Sequence, residues 1–236
     1  MDMENKGNFL AGLAIMVGLV FLGLCIPKAV KVMNSEKRNV SVRGLCEREV
    51  LSDKVIWPIQ YSAAGDDLAA LLAEVERNDA TIKEFLIAGG IAEEEIFSSA
   101  PTISDKFTQE YGSNDRKYRY VVKSTVTLCS GKVAEVLSLM KDQSSLLRKG
   151  LLLSNNDWDG KPVFSFEALN DIKPEMIEEA TRNAREGAQK FADDSGSRLG
   201  KIRDASQGYF TIEDRDSNTP HIKKVRVVTN VDFYLR

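Results

Sequence analysis

Phe9 to Ile26, FLAGLAIMVGLVFLGLCI, run for 18 residues without a charge. At about 1.5 Å per residue, such a helix would be roughly 27 Å long, close to the hydrocarbon thickness of a bilayer. A helix on the surface of a globular domain would carry a polar stripe, and this stretch carries none. Pro27 and Lys28 end it abruptly. A cleaved signal usually has an apolar region of only about 7–15 residues followed by a small-x-small site. Ile26-Pro27-Lys28-Ala29-Val30 offers no such site. A lipoprotein signal would want a small residue before its cysteine, but Leu24 precedes Cys25. The expectation is therefore a retained transmembrane anchor over residues 9–26, after a tail of residues 1–8 and before a linker of residues 27–38. Lys6 precedes the run, whereas Lys28, Lys31, Lys37 and Arg38 follow it. Taken alone, that charge bias favours a cytoplasmic location for whatever comes next.

Residues 39–236 are a different kind of chain. Over the whole sequence, 43% of residues are hydrophobic and 28% charged, a balance that suits a folded globular protein. Lys plus Arg total 32 against 35 for Asp plus Glu, a net charge of -3, so the basic excess of a general nucleic-acid binder is missing. Three cysteines and one histidine leave little material for a zinc site or a disulfide scaffold.

Strand and helix patterns alternate along this stretch. Val40, Val42 and the run Val55, Trp57, Ile59, Tyr61 have the two-residue period of strands, with Pro58 marking an edge or a bulge. Asp66 and Asp67 open a helix whose apolar stripe is Leu68, Leu72, Val75, Ile82 and Phe85 or Leu86, with Gly89-Gly90 as its end. Ile96 to Phe107 reads as extended chain, and Tyr118 to Leu128 as a long strand. Val133, Val136 or Leu137, Met140 and Leu147 predict one further helix. After Leu151–Leu153, Asp159-Gly160 forms a tight turn into Val163–Phe166. Pro174 fits the first turn of a long helix whose inner face is Ile177, Ala180, Ala184, Ala188 and Phe191. A less regular stretch, Gly200 to Ile212, precedes the clean alternation Val225, Val227, Thr229, Val231, Phe233, Leu235. The order predicts an α+β domain over residues 39–236, of one or two lobes, with mostly antiparallel sheet and helices on its face.

Few residues suggest chemistry. His221 is the only histidine and no GxSxG precedes it, so no catalytic residue is assigned. Cys46 and Cys129 fall in predicted strands, as buried apolar residues or, in an oxidising compartment, as a pair. Asn155, Asp157, Asp159 and Gly160 match the start of a calcium loop, but Phe166 stands where the bidentate glutamate belongs. Asp214, Asp216 and Asn218 repeat the spacing, with Thr219 for the glycine and Val225 for the glutamate. Both read better as polar turns, and no metal or cofactor is expected. Arg43, Glu47, Arg48 and Glu49 form one charged cluster, and Arg215, His221, Lys223, Lys224 and Arg226 another. These suit a solvated surface, pairing between subunits, or a basic strand face against anionic lipid.

Val42-Arg43-Gly44-Leu45-Cys46-Glu47-Arg48-Glu49-Val50 with Ile56-Trp57-Pro58-Ile59 resembles the start of the SIMPL-domain family. Lys173 to Ala180, Lys190-Phe191-Ala192, Leu199-Gly200-Lys201-Ile202 and the tail from Asp214 to Val228 resemble its C-terminal half. The resemblance covers residues 39–236. It implies an exported α+β domain of the bacterial envelope that tends to build ring-like or channel-like oligomers, with some members associated with oxidative-stress defence. It brings no catalytic residues. The implied export opposes the charge bias around the anchor, and the fuller match outweighs it, giving an expected inner-membrane protein with a periplasmic domain.

The expected partners are a bilayer, through residues 9–26, and further copies of the chain, with no nucleic acid. The first functional reading is a non-enzymatic, self-associating envelope protein. A thiol- or metal-dependent enzyme using Cys46, Cys129 or the loop at Asp214 and Asp216 is the second. A lipid- or protein-binding scaffold using the basic tail strand is the third.

Overall fold

The computed structural model describes residues 38–108, 117–154 and 160–236, together with positions 16, 18–21 and 23. Most of the predicted anchor lies outside the described residues. Its described positions are helical, and Met16, Leu19, Val20 and Phe21 are exposed. Among the described residues, no helix is long and apolar enough to cross a membrane.

The chain divides into two compact units. One takes in the chain up to Glu47, Lys173–Thr211 and Arg226–Arg236; the other is Arg48–Ile172 with Ile212–Val225. The strands are β1 (Asn39–Leu51), β2 (Lys54–Gly65), β3 (Ile96–Ser98), β4 (Thr102–Asp105), β5 (Tyr120–Ser130), β6 (Val163–Ser165), β7 (Leu199–Gln207), β8 (Thr211–Asp214) and β9 (Ile222–Leu235). The helices are α1 (Leu68–Ala88), α2 (Val133–Lys141), α3 (Ser144–Arg148) and α4 (Leu169–Asp194). The α+β expectation holds. One sheet has the order β3-β5-β2-β6, with β4 also on β5; the other runs β1-β9-β7, with β8 also on β9. The pairings β2–β5, β2–β6, β3–β5, β4–β5 and β7–β9 are all antiparallel.

In the second unit, α1 packs on β2 and β5. Asp67 caps it by accepting the N–H groups of Ala69 and Ala70 at 2.9 and 3.3 Å. The buried stripe is Leu71, Val75, Ile82 and Leu86, not the row through Leu68 and Leu72, both of which are only half-buried. These meet Val55, Trp57, Ile59, Val122, Val126 and Leu128 from the sheet in one apolar core. Pro58 pairs opposite Thr127 of β5. On the other side of β2, β6 reaches only Lys54–Ile56 and the bridge to Leu153 lies at Tyr61. Pro58 falls between them, where its missing N–H breaks no ladder among the described residues.

The single helix expected from Val133 to Leu147 is two helices, separated at Asp142-Gln143. The break changes the helical phase. Leu146 is buried and Leu147 exposed, the reverse of the periodic reading.

In the first unit, α4 starts at Leu169, so Pro174 lies inside it rather than in its first turn. The chain entering it is held by a residue far away in sequence. The Asp53 carboxylate accepts the N–H groups of Glu167 and Ala168 at 2.7 to 3.0 Å, just before the helix opens. The inner face of α4 is Met176, Ala180, Ala184, Ala188 and Ala192. Ile177 and Phe191 were expected there, yet Phe191 is 61% exposed. The row of small side chains lets the backbones touch: a Cβ at Gly44 of β1 would lie 1.8 Å from the Ala180 carbonyl oxygen.

Candidate functional site

Three features of the fold stand out chemically: a half-buried acid in the second unit, two clefts in that same unit, and the open edge of β7 in the first unit.

Asp79 faces the sheet from the middle of α1, in phase with Val75 and Ile82. The Tyr61 hydroxyl, on β2, lies 2.7 Å from Asp79 Oδ1 and 2.8 Å from the Val75 carbonyl oxygen. Ser124 on β5 donates to the same carboxylate oxygen at 3.3 Å. Tyr61 is only 1% exposed. Burial first, then the hydrogen bond to Asp79, pushes its phenol well above the ordinary value. The arrangement satisfies a polar group inside an apolar core. A polar cleft of about 250 Å³ adjoins it, lined by Gln60, Tyr61, Ser99, Thr102, Lys123 and Ser154 among others.

The second cleft, of about 450 Å³, lies where the β1–β2 turn meets the start of α2 and His221. Ser52 is 5% exposed, and its backbone N–H donates to the His221 carbonyl at 2.9 Å. Its hydroxyl oxygen is buried and has no hydrogen-bond partner among the described residues. The His221 ring stands edge-on to Phe164, with centroids 6.0 Å apart.

The sequence candidates distribute as follows. Cys46 is buried on β1 and Cys129 half-buried on β5; both are free thiols, so the pairing weighed for them is not made. Asn155, Asp157 and Asp159 lie outside the described residues. Asp216 accepts the N–H groups of Asn218 and Thr219, both at 2.8 Å, the Thr219 hydroxyl, and Arg215 Nε at 3.0 Å. Thr219 and then Arg215 hold its carboxyl at about 2. Asp214 pairs with Lys223, which is only 7% exposed. The loop's carboxylates thus close a turn with donors from the chain itself. Among the described residues, no group of three or more His, Cys, Asp or Glu could hold a metal ion.

The charged clusters pair within the chain. Arg215 reaches Glu49 at 3.4 Å, and Arg226 reaches Glu47 at 3.5 Å. Lys223 and Lys224 point to opposite faces of β9, one buried and one exposed, so the basic tail strand presents no single face with all its charges.

Strand edges from the hairpins are the interface expected for a self-associating chain, but the sequence does not single out which edge. β7 pairs only β9 among the described residues, and Lys201 to Gln207 are exposed on both faces of the strand. β8 continues along β9 and is exposed throughout. Tyr209, between them, is 96% exposed. The weak regularity of Gly200 to Ile212 was the available signal, because a strand that buries neither face has no reason to alternate.

Residues 40–233 match a family described as SIMPL, protein of unknown function (DUF541). No match to the chain was found among curated proteins.

Proposed function

The chain belongs to the SIMPL family, and from that premise we propose a non-enzymatic envelope protein that self-associates through the open edge of β7. In this reading residues 9–26 tether it in the bacterial inner membrane and residues 39–236 lie on the periplasmic side. The observation that carries the proposal is the edge itself. A strand of a folded domain ordinarily buries at least one face, and Lys201 to Gln207 of β7 bury neither. An open row of backbone donors and acceptors is a template for pairing with another chain. Ile202 and Tyr209 add exposed apolar surface along it. Lys201, Arg203 and Asp204, with the register shifts around Ile202, restrict which partner fits. A closed ring needs such a surface to meet a different surface of the next copy.

The reading of a structural protein rather than a catalyst draws on how the candidate groups are engaged. Cys46 is buried, Asp214 and Asp216 are held by chain donors, and Asp79 is bonded within the core. The test is the mass of the full chain in lipid nanodiscs, measured by light scattering over a wide concentration range. The expected protein mass is a multiple of 26.2 kDa, falling to one chain in the double variant Ile202→Lys/Tyr209→Glu. A parent protein that is monomeric throughout contradicts the proposal.

A further inference from the structure

We infer that the neighbour on the open edge of β7 is β1 of a second copy of the chain, lying parallel to it and bringing its own α4 as cover. The inference rests on the self-association proposed above and names the surface that meets β7. It starts from a helix layer that stops short. Residues opposite one another in an antiparallel pair share a face of the sheet. Ile202 lies opposite Phe233, Ala205 opposite Val231 and Gln207 opposite Thr229. Phe233, Val231 and Thr229 are buried, and the first two pack with Ala184 and Ala188 of α4. Their partners on β7 stand on the same face and are exposed. α4 thus covers β1, through Gly44, and β9, but leaves β7 bare. A sheet face in phase with a core and not covered by it is an unfinished layer.

The other end of the same sheet can finish it. β1 borders only β9 among the described residues. Arg38, just before β1, accepts the Leu235 N–H at 2.9 Å, and Ser52, just after it, donates to the His221 carbonyl at 2.9 Å. β1 therefore runs antiparallel to β9, as β7 does. β1 and β7 are parallel, and both begin beside the end of β9, where Leu199 lies opposite Leu235. A second copy in the same orientation brings its β1 alongside β7 without turning over. The even-numbered residues of β1 point their backbone groups at β9, so the odd-numbered ones turn theirs to the open side. Asn183 of α4 caps one of these, the Leu45 carbonyl, at 2.8 Å, and the stretch from Asn39 to Arg43 stays open. The side chains select β1 over a second β7. Beside β1, Ile202 and Ala205 meet a strand with a helix already seated on it, so the layer resumes at once. Two β7 strands side by side would double the bare strip. Arg43 of β1 and Asp204 of β7 both stand on the face away from α4, where opposite charges on neighbouring strands favour the pairing. Such a contact is heterologous: each copy offers one edge and accepts at the other.

The test is thiol crosslinking of the full chain in intact membranes, in a background of Cys25→Ala and Cys129→Ala. Ser41 of β1 and Ser206 of β7 are exposed on the face of the sheet away from α4. The double variant Ser41→Cys/Ser206→Cys, treated with a short bismaleimide, should give a ladder of dimers, trimers and larger species on a denaturing gel, because each copy then carries a thiol at both edges. Ser41→Cys alone and Ser206→Cys alone should run as monomers, like the background. A dimer from either single variant means that like edges meet, and it overturns the inference. If the double variant gives no product while benzoylphenylalanine in place of Tyr209 still joins copies on illumination, β7 meets another surface of its neighbour. That result overturns the inference and spares the self-association. Absence of product in both experiments overturns the two together.

Discussion

Gly44→Ala is expected to destabilise the protein by about 3 kcal/mol or more, at or above the upper end of ordinary overpacking. The added methyl would lie 1.8 Å from the Ala180 carbonyl oxygen and 2.7 Å from the Ala184 amide nitrogen. Both obstacles are helix backbone, so no rotamer change relieves them. α4 would have to retreat from β1 by more than an ångström, opening the buried alanine row around it. A folded chain holds only about 5–15 kcal/mol in reserve, so the change removes a large share. Urea unfolding of the full chain in nanodiscs, followed by circular dichroism, should show the midpoint lowered by about 1 M or more. Gly187→Ala, on the same helix with open space around it, is the control. It should be neutral or stabilising by up to about 1 kcal/mol, because alanine loses less entropy in a helix than glycine. Equal behaviour of the two variants contradicts the close packing of α4 on β1.

Tyr61→Phe should cost about 1.5–3 kcal/mol, the range for a hydrogen bond to a charged group. The change removes a donor 2.7 Å from the Asp79 carboxylate and leaves that acid only the longer bond from Ser124. A pH signature separates this loss from simple repacking. The folded chain favours the neutral phenol, so the contribution of Tyr61 is complete below the unfolded value near 10. It is lost as the pH rises from there toward the higher folded value, because the unfolded chain then releases its proton first. The parent's stability should fall above about pH 10 more steeply than that of Tyr61→Phe. Absorbance at 295 nm should show one tyrosine ionising only with unfolding. A full complement of tyrosines titrating near 10 in the folded parent would contradict the buried arrangement.

Periodicity revealed most of the fold, and failed where a distant residue decides. The alternation from Val225 to Phe233 is the buried face of β9, and its Val231 and Phe233 pack with Ala184 and Ala188 of α4. Asp67 caps α1 within its own turn, so that boundary was legible. α4 begins five residues before Pro174, and the chain entering it is anchored by Asp53 from a remote turn, which no local pattern contains. Ala192 rather than Phe191 faces inward, in phase with Ala180 and Ala184, whose backbone meets Gly44. Asp79 could have been found as the polar residue in phase with an apolar stripe. Ser52 could not, since its orphaned hydroxyl exists only once the β1–β2 turn meets α2. The open edge of β7 depends on strand order, which a local pattern does not contain.

Photo-crosslinking in intact membranes tests the central claim most directly. With benzoylphenylalanine in place of Tyr209, illumination should join two copies of the chain. The same group in place of Glu178, exposed on α4, should give far less product. A monomer band alone from position 209, with crosslinked product from position 178, would place the contact between copies elsewhere and contradict the account.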